Sequence, residues 1–138
     1  MAENHMNAWY VSIVGINQEF LAQRGISAKG FECYCPIGRK TVRHARREET
    51  RIFPVFSRYL FINFNADAEG LSQVRATDGI IDVITNNWQP VEISDEVIEE
   101  IKTRETSGAF NQKPPPHLHK QKWSKSFDTL KKLLEPCA

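Results

Sequence analysis

The chain has 138 residues, 41% of them hydrophobic and 25% charged, a composition that indicates one ordinary globular domain with an appendage. No apolar run approaches the roughly 18 residues that a membrane span needs, so we expect no membrane contact. Three cysteines outside any disulfide framework are typical of a reducing compartment, so we expect a cytoplasmic protein. The net charge of +1 hides a basic segment at residues 39–58, an acidic one at 65–105 and a basic tail from residue 111.

The predicted elements begin with a buried strand, Trp9–Val14, which is rich in β-branched and aromatic residues. Asn17 is a typical helix cap and Gly30 a typical helix stop, and together they predict a helix over Gln18–Lys29. The next segment, Phe31–Cys35, alternates in the way that a half-buried strand does.

A basic run, Ile37–Thr50, is too polar for a core, and we expect an exposed excursion in the form of a flexible hairpin. The most apolar stretch follows it. Its second half, Tyr59–Phe64, has the β propensity of a central strand, whereas Pro54 confines the first half to an edge or a bend. A short helix around Leu71 and a strand over Ile80–Ile84 come next.

The end of the domain combines a turn, an extended segment and a helix. Asn86 and Asn87 suit the turn, and Trp88–Ile93 returns as the extended segment. Ser94 is a typical cap for an acidic amphipathic helix, and we expect the core domain to close near Phe110. Taken together, the elements predict an α+β domain with a largely antiparallel sheet.

The tail differs in composition from the domain. Three prolines at 114–116 suit a stiff linker, and apolar residues from Trp123 onward recur at helical spacing with lysines between them. The sequence therefore predicts a domain over residues 8–110 and a linker with a basic amphipathic tail over 111–138.

Five segments in this order resemble the N-terminal domain of the NusG family of transcription elongation factors, over about residues 8–106. They are WYV from Trp9, GFECYCP at 30–36, FSRYLFINF at 56–64, VRATDGI at 74–80 and QPVEISDEVIEEI at 89–101. The resemblance implies a four-stranded antiparallel sheet flanked by helices. Family members usually continue into a small β-barrel with the KOW motif, and the tail lacks the glycines of that pattern, so we expect no KOW barrel in residues 111–138.

The resemblance also implies a function, namely an elongation or antitermination factor that binds the clamp helices of the largest RNA polymerase subunit and suppresses pausing or termination. Matched by position, the polymerase-contacting residues would be Ile13, Phe56, Tyr59, Phe61, Val83 and Ser72. Since alternate residues of a strand share a face, Tyr59 and Phe61 would be neighbouring anchors. The alternative is that these aromatic residues are simply core. The chain departs from the family at Ser57, where proline is usual.

The basic run has a functional interpretation as well. Family members place this region near upstream DNA or the non-template strand, where phosphate contacts supply salt-dependent affinity. The candidate nucleic-acid-binding residues are Lys29, Arg39, Lys40, Arg43, Arg46 and Arg47. The alternatives are a solvated charged loop and a stand-alone single-stranded nucleic-acid-binding module that never engages polymerase.

No residue pattern predicts an enzyme. Glu99 and Glu100 point apart on a helix, and no strand leads into a glycine-rich phosphate-binding loop. The four histidines do not pair with Cys33 and Cys35 at metal-ligand spacing. We therefore expect no catalytic residue, metal, cofactor or small-molecule substrate.

Overall fold

A computed structural model describes residues 7–112. The linker and amphipathic helix predicted after Gln112 lie outside these residues. In chain order the elements are β1 (Ala8–Val14), α1 (Glu19–Ala28), β2 (Glu32–Tyr34), β3 (Ile37–His44), β4 (Arg47–Pro54), β5 (Tyr59–Phe64), α2 (Ala68–Arg75), β6 (Ile80–Val83), β7 (Thr85–Asn86), β8 (Gln89–Pro90), β9 (Glu92–Ile93) and α3 (Asp95–Ser107). Within this part of the chain, no helix combines the length and apolar content needed to cross a bilayer.

Strand β1 lies at the centre of the main sheet. The order is β2–β5–β1–β6, with β9 pairing beside the N-terminal half of β1, and every pair is antiparallel. The register sets Val11 opposite Phe61 and Trp9 opposite Ile93. This confirms the predicted α+β class and antiparallel sheet, and β9 adds a fifth short strand to the four that were expected.

Helices cover both faces of this sheet. On one face, Ile26 of α1 and Val74 of α2 share a buried cluster with Ile62 of β5. On the other, which we call the α3 face, Ile101 of α3 shares a second cluster with Phe61 of β5. Because both faces are packed, the central strands are apolar at nearly every position rather than at alternate ones.

The basic run, predicted as an exposed hairpin, forms a regular antiparallel hairpin of β3 and β4. Its base is fixed to the domain, since the Ile37 N–H donates to Glu105 Oε2 at 2.7 Å and the Gln112 N–H donates to the Arg39 carbonyl at 2.7 Å. Its tip, residues 43–50, is exposed. The hairpin therefore projects from the main sheet as a separate two-stranded arm.

The helix ends agree with prediction at α3 and differ at α1. Ser94 Oγ accepts a hydrogen bond from the Val97 N–H at 3.3 Å, as a cap does. At α1 the cap position is occupied by Gln18, and Asn17 adopts a left-handed conformation with φ of 61°. The prediction that Asn17 caps this helix is therefore wrong, because asparagine here serves the turn that precedes the helix.

The predicted turn after β6 is shifted by one residue. Asn87 and Trp88 form the two-residue turn between β7 and β8, with φ of 53° and 68°. Trp88 thus belongs to the turn, and the extended segment that was predicted to begin there begins at Gln89. An asparagine pair indicates a turn without fixing its register, because asparagine tolerates positive φ at either central position.

Candidate functional site

Helix α3 covers only part of the α3 face. Its Ile98 and Ile101 pack with the N-terminal half of β1. At the other end of that strand, Ile13 pairs directly with Tyr59 of β5, and both side chains are partly exposed. Nearby apolar side chains on this face are also partly exposed. Together they form a surface that we call the α3-face patch, made of Ile13, Tyr59, Ile84 and Val91. An accessible apolar surface that continues into the core is typical of a binding site.

Buried aromatic rings support this patch from below. The Phe56 and Phe61 rings pack edge to face with centroids 5.9 Å apart, and the Phe110 ring lies 6.3 Å from Phe56. Phe56 and Phe61 are only 3% and 2% exposed. The expectation that they would present their side chains to a partner is corrected, because both are core residues that make the floor of the patch rigid.

The other two expected contacts lie away from the patch. Val83 pairs with Ser12 and belongs to the cluster beneath α1 and α2, so its side chain is buried on the opposite face of the sheet. This corrects its expected role, and the neighbouring residue Ile84 takes the α3 face instead. Ser72 is exposed on α2, also on the opposite side. Ser72 and Tyr59 could therefore meet only different parts of a partner.

A buried carboxylate fixes the turn before Tyr59, and no sequence pattern indicated it. Glu19 of α1 is buried, and its Oε2 accepts a hydrogen bond from the Arg58 N–H at 2.8 Å. Arg58 has a φ of 73°, and its Nε donates to the Val14 carbonyl at 3.2 Å. These bonds hold a strained backbone in place beside Ser57, where the resemblance leads one to expect proline. The backbone conformation just before Tyr59 is thus fixed by contacts with residues that are distant in the chain.

Polar contacts fasten α3 to the strands beside the patch. Glu105 accepts from the Tyr34 hydroxyl at 2.8 Å through Oε1 and from the Ile37 N–H through Oε2. The Lys102 ammonium lies 5.5 Å from the Tyr34 ring centroid and 5.8 Å from that of Trp9. Burial, followed by the bond to Glu105, raises the pKa of Tyr34 far above its ordinary value, so the phenol stays a hydrogen-bond donor. These contacts keep α3 on one half of the face.

Strand alternation divides the charges of the β3–β4 hairpin between two faces. One face, which we call the front, carries Lys40, His44, Arg47, Arg51 and Glu49. The back face carries Arg39, Arg43 and Glu48. Ion pairs of 3.3 Å between Arg51 and Glu49, and of 3.7 Å between Arg43 and Glu48, reduce the free charge on each face. Arg46 sits in the turn. The five expected basic residues of this hairpin therefore do not form a single patch.

Lys29, the sixth expected basic residue, lies elsewhere. Its Nζ donates to the Gln73 carbonyl at 2.8 Å, which joins the end of α1 to α2 on the opposite face of the sheet from the α3-face patch. This side chain therefore joins two helices and is not grouped with the hairpin, and its expected contact with nucleic acid stays a prediction.

Within residues 7–112, the cysteines and acidic residues show no reactive arrangement. Burial, ahead of the charge of Glu19, raises the pKa of Cys35 to about 12, and burial also raises that of Cys33. Both thiols therefore stay protonated and are poor nucleophiles. Among residues 7–112, no group of three or more histidine, cysteine, aspartate and glutamate side chains is placed to hold a metal ion.

Comparisons with known proteins agree with the fold. A family model described as transcription termination factor nusG matches residues 7–102. Among solved structures, the chain is similar to one described as domain interaction in Thermotoga maritima NusG, at 17% identity and a TM-score of 0.52. The match covers 74% of this chain and 59% of that one, so the chain spans about three fifths of the length of that protein. No curated protein matches the chain.

Proposed function

The chain belongs to the NusG family of transcription factors, and we propose that it binds RNA polymerase and suppresses pausing or termination. The proposed contact joins the α3-face patch to the clamp helices of the largest polymerase subunit. The observation that supports this most strongly is the directly paired, partly exposed Ile13 and Tyr59 on the part of the face that α3 leaves open. The proposed role is that of a binding module without catalysis.

The apolar character of the patch suits a helical partner. An apolar surface accepts the apolar side of a helix, and an aromatic residue such as Tyr59 is typical of the residues that dominate binding energy. The buried Phe56 and Phe61 hold the floor of the patch in one arrangement. Such a preformed surface loses little conformational entropy when a partner binds, which favours affinity.

A nucleic-acid contact accompanies the polymerase contact in this proposal. The front face of the hairpin has three basic side chains and one acidic one, besides His44, and all lie on an arm that projects from the domain. Phosphates of upstream or non-template DNA would bind such a face mainly through charge. Contacts to phosphates position a protein on DNA without reading its base sequence, so the proposed contact is independent of sequence.

Binding to a purified clamp-helix fragment and to core polymerase, after nuclease treatment, tests the proposal. The double variant Ile13→Ser/Tyr59→Ser should bind at least tenfold more weakly, as expected for loss of a central anchor. A matched control is Phe20→Ser/Leu21→Ser, which removes an aromatic and an aliphatic side chain, 36% and 41% exposed, from α1 on the opposite face. This control should change the affinity less than twofold.

Three outcomes would contradict the proposal or replace it. Equal losses in the two double variants, with unchanged thermal melting, would show that the α3-face patch is not the contact. Wild-type affinity in the Ile13→Ser/Tyr59→Ser variant would show the same. A chain that binds single-stranded DNA but neither polymerase preparation would be a stand-alone nucleic-acid-binding module.

A further inference from the structure

The hairpin of β7 and β8 carries an exposed tryptophan in an unfavourable backbone conformation. Asn87 and Trp88 both have positive φ, which is the pattern of a two-residue type I′ turn. The second position of such a turn is normally glycine, because a side chain is disfavoured in left-handed backbone. Trp88 is nevertheless 94% exposed, so no packing within the part of the chain that the structure describes offsets the strain. A strained and exposed aromatic residue indicates a functional contact.

The base of this hairpin lies within the α3-face patch. The Ile84 N–H donates to the Val11 carbonyl at 2.8 Å, and the Val91 N–H donates to the Ile84 carbonyl at 3.0 Å. The turn begins three residues after Ile84, so the Trp88 backbone lies roughly 10 Å further out along the hairpin. The turn that carries the indole is therefore at the margin of the same surface.

The charge around the hairpin favours a protein partner over a nucleic acid. Residues 65–105 contain ten acidic side chains and three basic ones, and Glu92 beside the hairpin is exposed. Phosphates would be repelled by this segment. A tryptophan beside acidic residues suits an apolar pocket that is bordered by lysine or arginine on the partner. Those cations are attracted both to the carboxylates and to the face of the indole ring.

We propose that Trp88 is a second anchor for the protein that binds the α3-face patch, and that its indole inserts into an apolar pocket with a basic border on that partner. This inference rests on the proposed function, in which the partner is RNA polymerase. Trp88 would widen the contact beyond the Ile13–Tyr59 pair and would require the partner to offer a second pocket at a set distance. Trp88 is exposed in this turn, where such a pocket can receive its indole.

The variant Trp88→Gly tests this inference because it should change stability and binding in opposite directions. Glycine removes the backbone strain, so the melting temperature of the full chain should rise by about 4 °C. Binding to core polymerase should nevertheless weaken about tenfold or more. The matched control is Asn87→Gly, which relieves strain in the same turn and keeps the indole, and it should bind as the wild type does.

Each result separates this inference from the proposed function. Wild-type binding by Trp88→Gly, together with weakened binding by Ile13→Ser/Tyr59→Ser, would overturn the role of Trp88 and leave the α3-face patch in place. Equal weakening by Trp88→Gly and Asn87→Gly would assign the effect to turn geometry. Loss of single-stranded DNA binding by Trp88→Gly alone would show that the indole stacks on bases. If wild-type chain binds no polymerase, both proposals fail.

Discussion

The carboxylate of Glu105 should be one of the main polar contributors to the stability of the domain. It accepts two short hydrogen bonds, at 2.8 Å from the Tyr34 hydroxyl and at 2.7 Å from the Ile37 N–H. Charge-assisted bonds contribute about 1.5–3 kcal/mol each, against about 0.5–1.5 kcal/mol for neutral ones. Since Glu105 is only partly buried, the lower ends of these ranges apply.

Glu105→Gln should therefore lower the free energy of unfolding by about 2 kcal/mol, since an amide can meet both groups only with neutral bonds. Glu105→Ala should cost about 3 kcal/mol, because the Ile37 N–H and the Tyr34 hydroxyl then have no side-chain partner. Urea unfolding at pH 7 measures both values. In a double-mutant cycle with Tyr34→Phe, the coupling energy should be about 1 kcal/mol.

The control is Glu100→Gln on the same helix. Glu100 forms an exposed ion pair with Arg104 at 3.0 Å, and loss of such a pair changes stability by less than about 1 kcal/mol. If Glu105→Gln unfolded at the same urea concentration as the wild type, or no further from it than Glu100→Gln, the two hydrogen bonds would not be holding α3 to the strands. The reasoning from bond geometry would then be refuted.

Two further predictions concern charge. Replacing Lys40 and Arg47 of the front face by glutamine should reduce the slope of log binding constant against log salt concentration, for single-stranded DNA, by about 1.4. The same change at the back-face residues Arg39 and Arg43 should reduce this slope by less than half as much. Equal slopes for the two variants in anisotropy titrations would rule out a contact through the front face alone. The hydrogen bond from the Val83 N–H, and then the one from the Arg75 guanidinium, hold the pKa of Asp82 below its ordinary range. The ionised Asp82 carboxylate therefore stabilises the fold above the unfolded-state pKa of about 3.9, and this stabilisation is lost as the pH falls through the lower folded-state pKa. In an NMR titration Arg75→Gln should raise this pKa only partway, and a complete return would show that the backbone bond contributes nothing.

The main strands of the sheet could be predicted because β-branched and aromatic residues favour strands over other structures. Which side chains of those strands point to which face of the sheet could not be predicted. Residues 80–84 are apolar at four of five positions, so their periodicity does not tell which of Val83 and Ile84 faces α3. The same ambiguity affects Phe61. Its aromatic character indicates burial or binding equally well, and only the placement of α3 over the face decides between them.

Two side-chain contacts could not be predicted from the sequence for a different reason. Glu19 and Lys29 look like ordinary exposed helix residues in the sequence, but their partners, the Arg58 N–H and the Gln73 carbonyl, lie 39 and 44 residues away in the chain. Backbone groups carry no residue-specific signal, so no spacing could reveal them. By contrast, the Ser94 cap was predictable because its partner is three residues away.

The central position of β1 has a consequence for synthesis. Trp9 pairs with Ile93, which is made 84 residues later, and Val11 pairs with Phe61, which is made 50 residues later. At about 5–20 residues per second, a ribosome needs roughly 4–17 s to supply the last partner strand after the first strand has been made. Both edges of this apolar strand stay open until β5 has been made, and part of one edge stays open until β9 follows, which is a condition under which nascent chains aggregate or recruit chaperones. The strand at the centre of the finished sheet is thus exposed for much of translation.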